Sequence, residues 1–209
     1  MDKHIENVSD IEHMYSNDII LVAHDVDCEN KWKLSSIFSN AQEIANFNCK
    51  VYGCDWKSLK ANYNACYVLT RMKLKMYRYP GSSDIVRMNT WPASKVRAVF
   101  TRYFSFQQED GTLIGEAASQ WVLMNMTTRS ILKPADCNVV TPNTDHIPVP
   151  FTIERGDFTF EPDQVTERTP RYSDLDYNGH VNNARYIEWI FDLFQPQWFA
   201  ENQVTEFDI

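Results

Sequence analysis

The residues with the clearest chemical potential lie between Arg171 and Asp192. Within ten positions, this stretch carries two carboxylates, three carboxamides and an imidazole: Asp174, Asp176, Asn178, His180, Asn182 and Asn183. An imidazole titrates near neutral pH and serves as a general base when neighbouring groups orient and support it. A carboxylate at Asp176 and an amide at Asn178 stand close in sequence to His180. We therefore predict that Asp176, Asn178 and His180 are catalytic residues.

An apolar pattern with helical spacing follows this polar stretch. It predicts a helix that begins just after His180 and buries Ile187, Ile190, Phe191 and Phe194. The N–H groups and positive dipole end of such a helix can polarise a carbonyl or hold an oxyanion, which suits acyl transfer to water. A purely structural explanation is also open, because Asp and Asn are favoured in turns and at helix N-termini. Asn182 or Asn183 can be an N-cap and nothing more.

The first half of the chain must supply the elements that position this motif. A strand is predicted at Ile19–Ala23, and apolar residues recur at three-and-four spacing from Leu34 to Ala45, which predicts an amphipathic helix. Turn residues separate further predicted strands at Tyr67–Tyr79, Asp84–Trp91, Lys95–Gln107 and Leu113–Met124. This order predicts an α+β fold in which a long helix lies on one face of a curved antiparallel sheet.

Side chains alternate in chemistry along the strand predicted at Tyr67–Tyr79. One face carries Met72, Leu74 and Met76, and the other carries Arg71, Lys73 and Lys75. The first face is predicted to lie in the core, and the second to face solvent.

A proline-rich connection divides the chain. We predict a first unit at residues 1–130, a linker at 131–163 and a second unit at 164–209. The second unit repeats the order of the first, with a strand at Gln164–Tyr172, the helix after the motif and the start of a strand at Val204–Ile209. Because two strands give a helix too little area to pack on, we expect the second unit to be incomplete in this chain.

The polar motif resembles that of a known family. From Asp174 to Tyr186 the chain reads Asp-Leu-Asp-x-Asn-x-His-Val-Asn-Asn-x-x-Tyr, which is similar to the signature of acyl-acyl carrier protein (acyl-ACP) thioesterases of bacteria and plant plastids. The first half is similar to that family at Leu34–Ala45, Val68–Arg71, Arg78–Pro80, Thr90–Pro92 and Trp121–Leu123. The resemblance covers most of the chain from about Leu21 onward.

The resemblance implies a double hotdog fold, with an antiparallel sheet wrapped around a long helix in each half and the second half incomplete. It implies hydrolysis of acyl-ACP to free fatty acid and carrier in fatty acid biosynthesis, with acyl carrier protein as the partner. By this resemblance His180 activates water or positions the thioester, Asn178 holds it, and Asp176 orients the pair or acts as the base. The family has a further catalytic acidic residue on a strand beyond the position of Ile209, so we expect this chain to be weakly active or inactive.

Other functions stay open. Hotdog thioesterases that act on coenzyme A esters are similar around Asp176, so an acyl-CoA thioesterase is one alternative. A non-catalytic acyl-binding module is another, favoured by the few strands of the second unit. A hotdog dehydratase fits the Asp-x-Asn-x-His run less well.

The resemblance also implies an acyl tunnel in the first half. Ordinary core packing explains each apolar residue of the proposed tunnel as well. The predicted substrate-binding residues are Ile37, Phe38, Ala41, Met72, Leu74, Met76, Trp121 and Asn182.

Because acyl carrier protein is acidic, the exposed cations Arg71, Lys73 and Lys75 are a candidate docking surface. Further cations nearby are Lys57, Lys60, Arg78 and Arg97.

Composition excludes several other classes of protein. A net charge of −8 disfavours nucleic acid and anionic membranes as partners. The five cysteines include no Cys-x-x-Cys pair, so neither a disulfide framework nor a metal site is expected. Residues 1–18 contain no apolar run suited to a signal peptide or a membrane span. We therefore expect a cytoplasmic enzyme that needs no cofactor, and a homodimer is compatible with the sequence.

Overall fold

A computed structural model of the chain describes residues 4–8, 13–93, 97–133, 136, 137, 139, 141–154, 159, 161–163, 165–176 and 179–209. Its strands are β1 His4–Val8, β2 Tyr15–Ile20, β3 Ala65–Met76, β4 Ile85–Pro92, β5 Val99–Gln108, β6 Leu113–Asn125 and β7 Glu206–Asp208. Its helices are α1 Leu34–Val51, α2 Trp56–Tyr63, α3 Asn183–Phe191 and α4 Pro196–Glu201. The strands form one antiparallel sheet in the order β1-β2-β4-β5-β6-β3-β7.

Helix α1 lies on one face of this sheet and forms the main core with it. Its buried residues recur at helical spacing, as the sequence predicts, and include Leu34, Ile37, Phe38, Ala41, Ile44 and Ala45. They share one cluster with Met72, Leu74 and Met76 of β3, whose exposed fractions are 1 to 2%. The predicted apolar face of β3 is therefore confirmed, whereas the face with Arg71, Lys73 and Lys75, predicted to face solvent, is only partly exposed because β7 pairs beside it.

The second unit packs onto the first. Strand β7 pairs with the edge of β3, with Lys73 opposite Asp208 and Lys75 opposite Glu206. Helix α3 lies against α1 and buries Ile187 in the core cluster of the first unit. The sequence predicted too little sheet for this helix, and the structure shows what its apolar face packs on: Ile187 lies in the core cluster, and Phe191 packs against that cluster and against Phe207 of β7. The predicted burial of Ile190 and Phe194 is wrong, because Ile190 is only half-buried and Phe194 lies beyond the end of α3, where it is 43% exposed.

Two predicted strands are wrong in position or kind. The strand predicted at Ile19–Ala23 ends at Ile20, because the Asp25 carboxylate accepts the N–H of Val22 at 3.0 Å and closes a 3₁₀ turn. For the strand predicted at Gln164–Tyr172, Gln164 lies outside the described residues, and residues 165–171 are exposed and form no strand. Val and Thr favour strands only where a neighbouring strand and a packed face are present.

Some elements were not predicted at all. Strand β1 and helices α2 and α4 fall in stretches without a strong apolar period. Helix α2 buries only Leu59, and its start is fixed by Asp55, which accepts the N–H of Ser58 at 3.0 Å. Capping therefore determines its start more clearly than hydrophobic patterning does.

Candidate active site

The predicted catalytic motif forms a tight loop between a 3₁₀ turn, Tyr172–Asp174, and helix α3. The backbone N–H of Asp176 donates to the carbonyl of His180 at 2.8 Å, and the N–H of His180 donates to Oδ1 of Asp176 at 3.1 Å. Gly179 takes φ +74°, in the left-handed region that glycine adopts without strain. Asp176 and His180 are thus held at the two ends of one loop. Asn178 lies outside the described residues.

The start of α3 is fixed by two asparagines. Asn182 is the N-cap, and its side chain accepts the N–H of Ala184 at 3.0 Å. The Asn183 amide donates to Oε1 of Gln42 on α1 at 2.8 Å. The structural explanation for Asn182 is therefore confirmed, and Asn183 ties the motif to the helix that crosses the core.

The same loop occurs a second time, before α1. There the N–H of Asp27 donates to the carbonyl of Lys31 at 2.9 Å, and the N–H of Lys31 donates to Oδ1 of Asp27 at 2.9 Å. Asp27 thus corresponds to Asp176, and Lys31 to His180. This is the structural counterpart of the predicted repeat. A cleft of about 1190 Å³, lined among others by Asp27, Lys31 and Phe199, lies beside this counterpart loop.

A larger cleft, of about 1410 Å³, opens beside the motif itself. Asp176, His180, Asn182 and Asn183 line one part of it. One face of α1 lines the cleft with Phe38, Gln42, Ala45, Asn46 and Cys49, and the sheet contributes Tyr67, Phe100 and Trp121 among others. A carboxylate and an imidazole therefore border the same cavity as a row of apolar and aromatic side chains.

The predicted substrate-binding residues separate into two groups. Phe38, Trp121 and Asn182 line the cleft beside the motif. The others lie in the core cluster between α1 and the sheet and are not among the residues that line this cleft: Ile37, Ala41, Met72, Leu74 and Met76. The ordinary core explanation describes the second group.

The wall of the cleft contains a buried cation that was not predicted from the sequence. Arg102, on β5, is 7% exposed and donates to Oδ1 of Asn48 at 2.7 Å and to Sγ of Cys49 at 3.5 Å. It lies on β5 between Phe100 and Phe104, two residues from each, and so shares a row of the strand with two buried aromatic side chains. A cation within such a row was the signal that could have found it, because buried arginines are almost always paired.

The predicted docking surface is not a free basic patch. Arg71 donates to both carboxylate oxygens of Asp208, at 3.0 and 2.7 Å. Lys73 and Lys75 lie 2.5 and 3.7 Å from the carboxylate oxygens of Glu206. Strand β7 therefore places acidic partners directly opposite these cations, which argues against this surface as the contact for an acidic carrier.

Comparison with family models identifies the chain. Residues 12–138 match the model of the acyl-ACP thioesterase N-terminal domain, and residues 159–209 match that of the C-terminal domain. The chain belongs to the acyl-ACP thioesterase family. The range matched by the C-terminal model contains the Asp176–His180 loop of this acyl-ACP thioesterase family member. The range matched by the N-terminal model contains the counterpart loop, Asp27–Lys31.

Curated relatives support the same family. The chain is 28% identical over 196 residues to a chloroplastic palmitoyl-acyl carrier protein thioesterase of Gossypium hirsutum, covering 86% of this chain and 46% of the relative. It is 34% identical over 139 residues to a chloroplastic oleoyl-acyl carrier protein thioesterase of Coriandrum sativum, covering 60% and 37%. The chain thus spans about half or less of the length of these relatives.

A solved structure shows the same fold. The crystal structure of an acyl-ACP thioesterase from Bacteroides thetaiotaomicron superimposes with a TM-score of 0.83 at 24% identity, covering 96% of this chain and 82% of that one. The predicted hotdog fold class, with mixed helix and antiparallel strand, is confirmed.

Within the described residues, the second unit adds one strand, β7, to the sheet of the first. No helix among those residues is both long and apolar enough to cross a membrane.

Proposed function

We propose that this chain carries the hydrolytic site of an acyl-ACP thioesterase, which releases a free fatty acid from acyl-ACP during fatty acid biosynthesis. One observation supports this most directly: Asp176 and His180 line the same cleft as Phe38 and Trp121. Hydrolysis of an acyl thioester needs a polar group to activate water and an apolar channel to hold the chain. Family membership supports the same conclusion.

In the proposed reaction, water attacks the thioester carbonyl carbon, the carbon–sulfur bond breaks, and the released thiolate of the carrier takes up a proton. The His180 imidazole is exposed at the rim of the cleft, where it can accept the proton of the attacking water. The Asp176 carboxylate holds the backbone N–H of His180 and so fixes the loop that carries the imidazole. Asn178 completes the predicted trio through its amide.

The acyl chain is proposed to run along α1. Gln42 contacts Asn183 at the motif, and Cys49 lines the cleft seven residues further along the helix. At 1.5 Å per residue, this path along α1 is about 10 Å long. The aromatic side chains of Tyr67 and Trp121 form part of its wall, with ring centroids 6.3 Å apart.

The acidic carrier protein is proposed to dock at cations near the cleft mouth. Lys60 and Arg129 are exposed and line the cleft, and Lys57 lies one turn from Lys60 on α2. These cations take the place of the Arg71 face, whose charges are paired with β7. A homodimer and a cytoplasmic location remain predictions; the curated relatives named above are chloroplastic.

The test is hydrolysis of acyl-ACP by the full-length protein and by two histidine variants of it. His180→Ala should lower kcat by about 10²-fold or more, the usual contribution of a general base. His24→Ala is the matched control, because His24 is a solvent-exposed imidazole that does not line the cleft, and its rate should be unchanged. Full activity of His180→Ala would remove His180 from the mechanism.

The same proteins assayed with an acyl-CoA ester identify the carrier. Faster turnover of acyl-ACP than of acyl-CoA supports the proposed partner, and the reverse order supports the acyl-CoA alternative. Binding of the acyl chain without any turnover would favour the non-catalytic acyl-binding module.

A further inference from the structure

The cleft contains a pair of thiols that the proposed hydrolysis does not use. Helix α1 ends in a Schellman motif: Cys54 N–H donates to the carbonyl of Cys49 at 3.0 Å, and Gly53 N–H donates to that of Lys50 at 3.2 Å. Gly53 takes φ +64°, as this motif requires. A contact between the side chains of the two residues joined by the outer hydrogen bond frequently accompanies the motif, and here the Cys54 thiol donates to the carbonyl oxygen of Cys49 at 3.4 Å. Backbone geometry therefore brings the side chains of Cys49 and Cys54 together, and both line the cleft.

The two thiols have different electrostatic surroundings. The pKa of Cys49 is lowered to about 6, first by a hydrogen bond from the Cys54 thiol and then by the charge and N–H of Arg102, while burial and Asp55 oppose the shift. The pKa of Cys54 is raised, first by its hydrogen bond to Cys49 and then by burial. The Tyr67 phenol also faces the pair, and burial raises its pKa. One sulfur is thus suited to be a thiolate and its neighbour a thiol.

We propose that Cys49 is an oxidation site for hydroperoxides, with Cys54 as its resolving thiol. The Cys49 thiolate attacks one peroxide oxygen, the O–O bond breaks, and the leaving oxygen takes a proton to become an alcohol or water. Cys49 is then a sulfenic acid. The Cys54 sulfur attacks it, and a Cys49–Cys54 disulfide and one water form. The two sulfurs together lose two electrons, which reduce the peroxide.

Arg102 distinguishes Cys49 from Cys66, because its guanidinium lies beside the Cys49 sulfur and favours the thiolate there. Its guanidinium is 3.5 Å from the Cys49 sulfur and is held in place by Asn48 and by Oγ1 of Thr90, at 2.7 and 3.2 Å. Cys66 is the matched internal control. It is half-buried and lines the same cleft, but burial raises the pKa of its thiol.

The experiment treats the folded chain with hydrogen peroxide at pH 6, blocks the remaining thiols and locates modified cysteines by peptide mass spectrometry. Cys49, with a pKa of about 6, is about half thiolate at pH 6, whereas burial raises the pKa of Cys66 and keeps it almost entirely thiol. We therefore expect Cys49 to be oxidised at least about 10-fold faster than Cys66, even though the more acidic thiolate is the weaker nucleophile. The expected product is a peptide that joins Cys49 to Cys54 and has lost two hydrogen masses. The rate should rise through pH 6.

Three variants separate the roles. In Cys54→Ser the sulfenic acid should persist at Cys49 and be trapped by dimedone, whereas Cys66→Ser should leave the Cys49–Cys54 product unchanged. Arg102→Lys, which removes the guanidinium N–H that donates to the Cys49 sulfur, should move the midpoint of the rate profile to higher pH. Oxidation of Cys49 no faster than of Cys66 in the unaltered chain, or a midpoint near pH 9, would overturn the proposal. These readouts need no thioesterase activity, so they stand or fall apart from the proposed function.

Discussion

Substitution of the two equivalent aspartates can separate chemistry from loop structure. Asp176 and Asp27 occupy the same place in their loops, and each accepts a backbone N–H, from His180 at 3.1 Å and from Lys31 at 2.9 Å. Replacement by Asn keeps the side-chain size and one acceptor oxygen but removes the charge. Asp176→Asn and Asp27→Asn therefore cause similar local changes at two sites, with the difference that Oδ1 of Asp27 also accepts the N–H of Glu29 at 2.9 Å.

The expected losses of stability are similar and small. A hydrogen bond to a charged acceptor contributes about 1 to 2 kcal/mol, and the amide oxygen retains part of this, so each variant should lose about 1 kcal/mol of unfolding free energy. For a chain of this size that is a fall in Tm of about 2–4 °C. Thermal unfolding followed by circular dichroism measures it.

The expected losses of activity differ sharply. In the full-length protein, Asp176→Asn should lower kcat for acyl-ACP by about 10²-fold or more, because the charge that supports the reaction is lost. Asp27→Asn should leave kcat unchanged, since its loop lies beside the other cleft. Equal losses of activity in the two variants would show that Asp176 acts only through the fold, and normal activity of Asp176→Asn would contradict its catalytic assignment.

Further predictions concern how the second unit is held to the first. Phe207 packs edge-on against Phe38 with ring centroids 5.9 Å apart, so Phe207→Ala should cost about 2 kcal/mol in denaturant unfolding. Asp208→Asn should cost under about 1 kcal/mol, because the ion pair it breaks is close to solvent; a larger loss than for Phe207→Ala would reverse this ranking. Asn183→Ala and Gln42→Ala should each cost about 1 kcal/mol and be less than additive together; strict additivity would refute the contact as the anchor of α3.

The sequence predicted well the elements whose side chains repeat with a clear period. Helix α1 and strand β3 have strong apolar faces, and both appear close to their expected positions. The motif was found because Asp176 and His180 stand close in sequence and one loop holds them both. Catalytic motifs within one loop and strongly periodic elements can be predicted from a single sequence because they depend on residues that are close together in the chain.

Contacts between distant segments were not predictable in the same way. The pairing of β7 with β3 gives acidic partners to Arg71 and Lys73, and no local pattern indicates that strands so far apart in sequence are neighbours. For the same reason the sequence did not separate the core residue Met72 from the cleft residue Trp121. Both are apolar side chains on strands, and only the three-dimensional packing distinguishes them.

The most direct test of the central claim is a crystal structure of the chain with an acyl-pantetheine analogue whose thioester sulfur is replaced by a non-hydrolysable methylene. We expect the carbonyl carbon to lie within one water of His180 and Asp176, with the acyl chain along α1 toward Trp121. An analogue bound in the cleft beside Lys31 and Phe199, with the His180 loop unoccupied, would contradict it.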